Sequence, residues 1–296
     1  MEPLTLITIT LTLLPAGFLA ALVGIGGGTI VVPLLTLVFH VGIKEAIAAS
    51  SVTVVATGVT SASRYLKQGL TNVRLGVFLN MSTVVGAMIG ALFTLAAPPT
   101  ALYFAMSVLL LYVGVNQITT GKSEVAKIES GSFAKVKGDG LADLLMLSSS
   151  YYDRASEREV VYNVTRTPIG LLASVFAGLL SGMLGIGGGV LKVPIMNLVM
   201  NVPMKVAVAT SKFMIGMTAA TAACIYIEAG RVNPFIVAST VLGISTGAFL
   251  GTRVMNRIRA DRLKVIFGAV MMYVGYLMLA RALYIATGIV LPGCLR

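Results

Sequence analysis

Long apolar runs broken by short polar loops form the pattern of this chain, and the pattern occurs twice. Six runs are long enough to cross a bilayer as helices of about 20 residues: 45–64, 74–96, 100–118, 206–228, 234–252 and 263–286. Each group of three follows an apolar helix (about 3–23 or 168–184) and a shorter apolar piece (about 29–39 or 190–202). Each shorter piece covers only about 16 to 20 Å of the roughly 30 Å hydrocarbon core. We therefore predict half-helices, each forming a hairpin with the helix before it.

Composition agrees with a membrane protein. Of the 296 residues, 57% are hydrophobic and 11% are charged, and the mean hydropathy is +0.93. Soluble domains carry about 25% charged residues. The N-terminus has Glu2 but no Lys or Arg, so it lacks the basic region of a cleaved signal peptide and predicts a first membrane segment. The predicted fold class is an all-α integral membrane protein.

The second half of the chain repeats the first. Shifting the sequence by 161 residues aligns 24–28 with 185–189 and Pro33 with Pro194, without a gap. Further identities in this register pair Lys44 with Lys205, Ser50 with Ser211, Tyr65 with Tyr226, Gly69 with Gly230 and Asn72 with Asn233. Chance does not hold one register for so long, so the chain contains an internal duplication. This predicts membrane repeat 1 at 1–119, a linker at 120–167 and membrane repeat 2 at 168–296.

The two repeats are predicted to face opposite ways across the membrane. A hairpin makes no net crossing, so the three spans after it give each repeat an odd number of crossings. The loop after the first of these spans is basic in repeat 1, with Arg64, Lys67 and Arg74, but in repeat 2 it holds only Arg231, near Glu228. The next loop is uncharged in repeat 1, whereas its counterpart carries Arg253, Arg257, Arg259, Arg262 and Lys264. Since basic loops are cytoplasmic, the pattern predicts two inverted-topology repeats, each a re-entrant-like hairpin plus three transmembrane helices, as in many secondary transporters.

In this topology both termini lie outside, on the side of the membrane opposite the cytoplasm, and the 120–167 linker lies in the cytoplasm. The linker holds seven bases and seven acids, so the net charge of +11 comes from the rest of the chain. Basic residues that flank spans are topology signals, and we expect no nucleic-acid partner. The partly alternating stretch YYDRASEREVVYNV predicts a small hairpin; a partly ordered loop and a plain connector stay open as alternatives.

The glycine loops GIGGGTIVVP (24–33) and GIGGGVLKVP (185–194) carry the candidate chemistry. They do not fit a nucleotide-binding loop, because Thr29 or Val190 replaces the last glycine and the Gly-Lys-Ser/Thr ending is missing. A half-helix that starts after such a loop has unpaired N–H groups at the positive end of its dipole, and glycines let an anion approach them. Two opposed loops therefore predict an anion site near the membrane midplane. The alternative is that the glycines only allow close helix packing. Packing is the role we assign to the spaced glycines Gly86, Gly90, Gly247 and Gly251.

Two lysines within the apolar runs support the anion hypothesis. A charge inside a span costs at least about 2.5 to 3.5 kcal/mol, and no acid lies near Lys192 or Lys212 in sequence. An anionic ligand would balance either charge; the alternative is that each lysine snorkels to the cytoplasmic face. Hydroxyls nearby are either donors to the anion or hydrogen-bonding glue between helices: Ser50, Ser51, Thr53, Thr210 and Ser211.

The predicted substrate-binding residues combine the loops, the hydroxyls and the lysines. They are Gly26, Gly27, Gly28, Thr29, Ser50, Ser51, Gly187, Gly188, Gly189, Lys192, Ser211 and Lys212. Glu45 and Glu228, near span ends, are interfacial residues or proton-coupling groups. Two cysteines (Cys224 and Cys294) and one histidine (His40) make no catalytic or metal-binding cluster. We therefore expect no enzymatic activity, no cofactor and no metal.

The duplicated motif GIGGG-[TV]-[IL]-x-VP, the A-x-A-[AT]-S at 46–50 and 207–211, and the GA-x-x-G pairs resemble the sulfite exporter TauE/SafE family. The resemblance spans both repeats but not the linker. It implies an inner-membrane transporter of sulfur-containing anions: sulfite, thiosulfate or small organosulfonates such as sulfoacetate. It also implies a role for the loops at 24–33 and 185–194. Lys192 and Lys212 rest on the charge argument alone.

The resulting hypothesis is a secondary transporter, an exporter working by alternating access, that holds its anion at paired half-helix N-termini. Its partners are a small anion and the lipid bilayer, with proton or ion coupling left open. An anion-selective channel is the first alternative, because opposed half-helices also build pores. A membrane sensor that uses the cytoplasmic linker is the second. The anion, the direction, the coupling ion and the oligomeric state stay open.

Overall fold

A computed structural model of the chain describes residues 3–23, 27–119, 138–153, 158–254 and 260–288. In repeat 1 the helices are α1 (Pro3–Val23), α2 (Gly28–Leu37), α3 (Ile43–Lys67), α4 (Val73–Ala96) and α5 (Pro99–Thr119). The linker holds α6 (Gly140–Leu144) and the strands β1 (Ser149–Asp153) and β2 (Arg158–Tyr162). In repeat 2 the helices are α7 (Thr167–Leu184), α8 (Gly189–Pro194), α9 (Met204–Glu228), α10 (Pro234–Val254) and α11 (Ala260–Thr287).

The all-α membrane fold predicted from the sequence is confirmed. Among the described residues, six helices are long and apolar enough to cross a membrane. The two half-helices are also present: α2 has 10 residues, and the 6 residues of α8 continue as a 5-residue π-helical turn, Ile195–Val199. Each contains the proline of its motif, Pro33 or Pro194.

Helices of the two repeats interlock in a two-fold symmetric pattern. The most extensive contacts join α1 to α10 and α4 to α7, so the first helix of each repeat packs along the fourth helix of the other. The equivalent helices α3 and α9 pack together, as do α5 and α11. Every one of these contacts joins one repeat to the other, which predicts that neither repeat buries its apolar faces alone.

Glycines bring α4 into backbone contact with α7, and α10 into backbone contact with α1. A Cβ added at Gly90 would lie 2.1 Å from the Leu179 carbonyl oxygen, and one at Gly247 would lie 2.0 Å from that of Leu14. Only glycine leaves room for such an approach. This is the packing role predicted for Gly86, Gly90 and Gly247; the surroundings of Gly251 lie outside the described side chains.

The equivalent helices α5 and α11 run antiparallel. Gly114 faces Met272, whereas Gly275, further along α11, faces Leu111, which comes earlier in α5. Earlier still in α5, Tyr103 hydrogen-bonds Arg281. Residue numbers therefore increase along α11 as they decrease along α5, over about three helical turns.

The linker forms a small folded unit. β1 and β2 pair as an antiparallel hairpin with Ser149 opposite Tyr162. For the described part of the linker, the structure therefore favours the predicted hairpin over a partly ordered loop or a plain connector. Residues 120–137 and 154–157 lie outside the described residues. Asn72, the N-cap of α4, donates from its side-chain amide to the Leu147 carbonyl at 2.7 Å and to the Tyr162 hydroxyl at 2.9 Å. Burial raises the pKa of the Tyr162 phenol. The hairpin is thus attached to the loop between α3 and α4.

Candidate functional site

The two glycine loops meet inside the protein. A Cβ on Gly28 would lie 2.9 Å from both the Gly185 carbonyl oxygen and the Ile186 Cα, so the first loop ends directly against the second. Between them, the Ser50 hydroxyl donates to the Gly185 carbonyl at 2.7 Å and lies 3.4 Å from the Gly28 carbonyl. Ser50 is fully buried. Gly28, Gly185 and Ser50, which lie apart in the sequence, therefore form one cluster in the structure.

This meeting point lies halfway along the central helices. Gly187 contacts Val54 of α3 and Ile215 of α9. Each of these residues is the twelfth of 25 in its helix, and they occupy equivalent positions in the two repeats. The loops therefore lie halfway along two helices that are each long enough to span a bilayer.

The second loop turns sharply before α8 begins. Gly185, Gly187 and Gly188 have φ angles of +67°, +77° and +69°, a left-handed conformation that side chains rarely adopt. The first hydrogen bonds of α8 come from the N–H groups of Leu191 and Lys192, both to the Gly188 carbonyl, at 3.2 and 3.0 Å. The N–H groups before them have no acceptor within the helix. The first loop is described only from Gly27 onward, and Gly26 lies outside the described residues.

Two buried hydroxyls flank this helix start without a hydrogen-bond partner. Ser181 is 2% exposed and Ser211 is 1% exposed, and the Oγ of each lacks a partner. A Cβ on Gly188 would lie 3.1 Å from Ser181 Oγ, and one on Gly189 would lie 3.3 Å from Ser211 Oγ. Buried hydroxyls are almost always hydrogen-bonded. Two that are not, beside unpaired N–H groups, form a cluster of donors that fits an acceptor-rich ligand.

Lys192 lies at the other end of α8 and is only 1% exposed, so it does not snorkel to water. Its ammonium donates to the Thr218 hydroxyl of α9 at 2.7 Å. The side-chain oxygen of Asn80, on α4, accepts from the Thr218 hydroxyl at 3.1 Å and from Thr83 at 3.1 Å. These partners are neutral, so the charge of Lys192 is hydrogen-bonded but not neutralised by them.

Two other predicted residues, Ser51 and Lys212, do not hydrogen-bond to the described residues of this cluster. Ser51 donates to the carbonyl of Ile47 in its own helix at 3.0 Å. Lys212 is 8% exposed, and its ammonium has no hydrogen bond or ion pair with the described residues. It follows Ser211 directly and so points about 100° away around α9. Thr29 is fully buried at the start of α2.

Two of the predicted hydroxyls join helices instead. The Thr53 hydroxyl lies 2.7 Å from that of Thr240, which links α3 to α10. The Thr210 hydroxyl accepts the backbone N–H of Asn72 at 3.0 Å. For these two residues the structure favours the helix-to-helix alternative.

Sequence reasoning missed Ser181, Asn80 and Thr218. In the duplication Ser181 aligns with Ala20, and Asn80 aligns with Val241. A search for positions shared by both repeats therefore does not find these two residues. An amide in the middle of an apolar span is the signal that was available for Asn80. Within the described ranges no group of three or more His, Cys, Asp or Glu residues is placed to hold a metal ion.

Comparison with known proteins identifies the family. The family model described as sulfite exporter TauE/SafE matches residues 9–278. The probable membrane transporter protein YunE of Bacillus subtilis (strain 168) is 28% identical over 268 residues, which cover 88% of this chain and 92% of the relative. The probable membrane transporter protein MJ0441 of Methanocaldococcus jannaschii is 26% identical over 277 residues, 89% of this chain and 91% of the relative. No solved structure matches the chain at a significant level. The chain belongs to the sulfite exporter TauE/SafE family and is a multi-pass membrane transporter.

Proposed function

We propose that this protein is a secondary transporter that exports sulfur-containing anions, such as sulfite, thiosulfate or small organosulfonates, by alternating access. The observation that carries the proposal is the meeting of the two glycine loops halfway along the central helices, beside two unpartnered hydroxyls and at the start of the half-helix that bears the buried Lys192. The anion lies against the start of α8, where it accepts hydrogen bonds from backbone N–H groups and from Ser181 and Ser211.

The chemistry of the cluster favours an anion over a cation or a neutral solute. Its unpaired groups are N–H and O–H donors, and the positive end of the α8 dipole is directed at the same place. Lys192 adds a charge whose hydrogen-bond partner, Thr218, is neutral. An anion near Lys192 offsets the cost of burying that charge, which is several kcal/mol for an unpaired ion.

The arrangement of the helices supports inverted repeats. A two-fold axis in the membrane plane makes equivalent helices antiparallel, whereas an axis along the membrane normal makes them parallel. The antiparallel course of α5 and α11 favours the first arrangement. With the charge pattern of the loops, it supports both termini outside and the 120–167 linker in the cytoplasm between membrane repeats 1–119 and 168–296. Membership of the family supports location in the cell inner membrane.

The sulfur-containing substrate is an inference from the family. Donor groups and a lysine select for negative charge, but they do not distinguish a sulfonate from a carboxylate of the same size. Membership of the sulfite exporter TauE/SafE family supports sulfur oxyanions and sulfonates as the first substrates to test.

The test is uptake of sulfite, thiosulfate and sulfoacetate by proteoliposomes that contain the wild type or Lys192→Gln. We expect the variant to lower the apparent affinity for the transported anion by about 10-fold or more, because a charge-assisted hydrogen bond is worth about 1.5 to 3 kcal/mol. Lys67→Gln is the matched control, since Lys67 is exposed at the end of α3. Unchanged affinity of Lys192→Gln for all three anions would overturn the site.

Counterflow separates a transporter from a channel. Liposomes preloaded with the unlabelled anion should accumulate labelled anion transiently and with a saturable rate. Flux that rises linearly with concentration and shows no counterflow would support an anion-selective pore with the same binding groups.

A further inference from the structure

A basic cavity of about 400 Å³ opens at one end of the helix bundle, away from the glycine loops. It is lined by Gly42, Ile43, Lys44, Glu45, Pro99, Tyr103, Arg231, Arg281, Tyr284 and Ile285. It adjoins the N-terminus of α3, whereas the linker hairpin is attached beyond the C-terminus of the same helix, at Asn72. The 25 residues of α3 span about 37 Å, so the basic cavity and the linker lie at opposite faces of the protein.

Positive charge converges on this cavity. Its lining contains three basic side chains, Lys44, Arg231 and Arg281, and one acidic side chain, Glu45. The N-termini of α3 and α5 are also in the wall, and each adds the positive end of a helix dipole. The lining therefore favours a negative ligand, although one carboxylate opposes it.

The basic residues hold defined positions. Lys44 donates to the Leu95 carbonyl of α4 at 2.8 Å, and Arg281 hydrogen-bonds the hydroxyl of the buried Tyr103. Arg231 is exposed, just after the end of α9. Two of the three cations are thus oriented by hydrogen bonds, whereas the exposed Arg231 side chain has no hydrogen bond to the described residues.

The two arginines of this cavity have no basic counterpart in the duplication, whereas Lys44 corresponds to Lys205. Under the 161-residue shift, Arg231 corresponds to Leu70 and Arg281 to Thr120. Repeat 1 supplies Lys44 and Glu45, and repeat 2 supplies both arginines, so the cavity exists only where the two repeats meet. Because repeat 1 has Leu70 and Thr120 at the equivalent positions, the fold that the two repeats share does not require arginine there.

The cavity is separate from the loops but close to them along α3. Lys44 precedes Ser50 by six residues, which is about 9 Å along the helix axis. Ala46, Ile47 and Ala49 lie between them and are 0%, 0% and 1% exposed, and Ile47 packs against Gly185. An apolar layer therefore closes the path between the cavity and the loops.

We propose that the basic cavity is a second anion-binding site, which takes a small organic anion with a compact apolar body. The three cations and two helix N-termini hold the anionic group. Tyr284, Ile285 and Pro99 contact the apolar body. The volume supports an organic ligand, because small-molecule sites measure about 300 to 1,000 Å³.

The experiment is calorimetric titration of the purified full-length protein with ethanesulfonate. Arg231→Gln should weaken binding by about three- to tenfold, as expected for loss of one partly solvated charge. Glu45→Gln should strengthen binding by about two- to threefold, since it removes the opposing carboxylate. Lys67→Gln removes the same charge from the opposite face and is the matched control. A purely structural role of the cavity would not give opposite signs for the two variants.

The outcome does not depend on the glycine-loop site. Repeating the titration in the Lys192→Gln background should preserve both effects, so failure of one site is distinguishable from failure of the other. Two results would overturn the second site: unchanged affinity in both Arg231→Gln and Glu45→Gln, or an equal loss of affinity in Lys67→Gln.

Discussion

Within the described part of the chain, the buried Lys192 is stabilised by a chain of hydrogen bonds rather than by a counter-ion. Lys192 donates to Thr218, and the side-chain oxygen of Asn80 accepts from Thr218 in turn. Unpaired charge in a protein interior is costly, so these neutral partners stabilise the ammonium while the site is empty. They belong to α9 and α4, and they therefore connect the half-helix α8 to two long helices.

At the residue scale, we predict that Thr218→Val destabilises the protein. Valine has nearly the same shape but leaves the Lys192 ammonium without its 2.7 Å acceptor. The expected loss is about 1 to 3 kcal/mol in the free energy of unfolding, visible as a lower midpoint of thermal unfolding in detergent. Thr221→Val is the control, because the exposed Thr221 hydroxyl bonds only to Met217 of its own helix. Equal midpoints for the two variants would contradict the assigned role of Thr218.

The element that the sequence left most open is the linker. A single carboxylate, Asp139, joins α6, near the start of the described part of the linker, to Thr167 at its end. One oxygen accepts the N–H of Ala142 at 2.8 Å and caps α6, and the other accepts from the backbone and hydroxyl of Thr167, where α7 begins. Partial burial acts to raise the pKa of Asp139, but the hydrogen bonds from Thr167 and Ala142 outweigh it and hold the pKa below its ordinary value.

This gives a pH-dependent prediction at the scale of the linker. Because the folded-state pKa of Asp139 is depressed, its stabilisation is present above the unfolded-state pKa and is lost as pH falls through the folded-state pKa. Asp139→Ala should cost about 1 to 2 kcal/mol in local stability at neutral pH, as for other lost N-caps, and should abolish this part of the acid sensitivity. Hydrogen exchange of the β1–β2 amides, corrected for intrinsic rates at pH 6 and pH 3, measures both effects.

The neighbouring Asp143 provides the matched control for that measurement. It is exposed in the same short helix, and its replacement by Ala should leave the protection of the hairpin unchanged. Equal protection in Asp139→Ala and the wild type at neutral pH would show that other contacts, such as those of Asn72, hold the linker alone.

At the scale of the whole molecule, the interlocked repeats make a topological prediction. Gln68 and Ala229 are equivalent positions, and both are exposed, just after α3 and α9. In a background without Cys224 and Cys294, an impermeant thiol reagent should label Gln68→Cys only from the cytoplasm and Ala229→Cys only from outside. This follows because inverted repeats place equivalent loops on opposite faces. Labelling of both from the same face would contradict inversion.

Much of the fold could be read from local patterns. The spans, the half-helices and the duplication depend on apolar run length and on the spacing of glycine and proline, which are local along the chain. The predicted bounds of α3 and α9 therefore agree with the structure to within a few residues. The strands of the linker were harder to predict, because a short alternating stretch also fits a loop.

For the site, the sequence by itself determined that the chain crosses a membrane, that it is duplicated, and that its glycine loops and Lys192 are unusual in such surroundings. Only the tertiary structure decided that Gly28 meets Gly185, that Thr218 and Asn80 hold Lys192, and that Ser51 bonds within its own helix. The physical reason is that partners on different helices depend on the rotation and crossing of those helices. These are determined by packing between helices that lie far apart in the sequence, as for Gly28 and Gly185, and no local pattern along the chain records them.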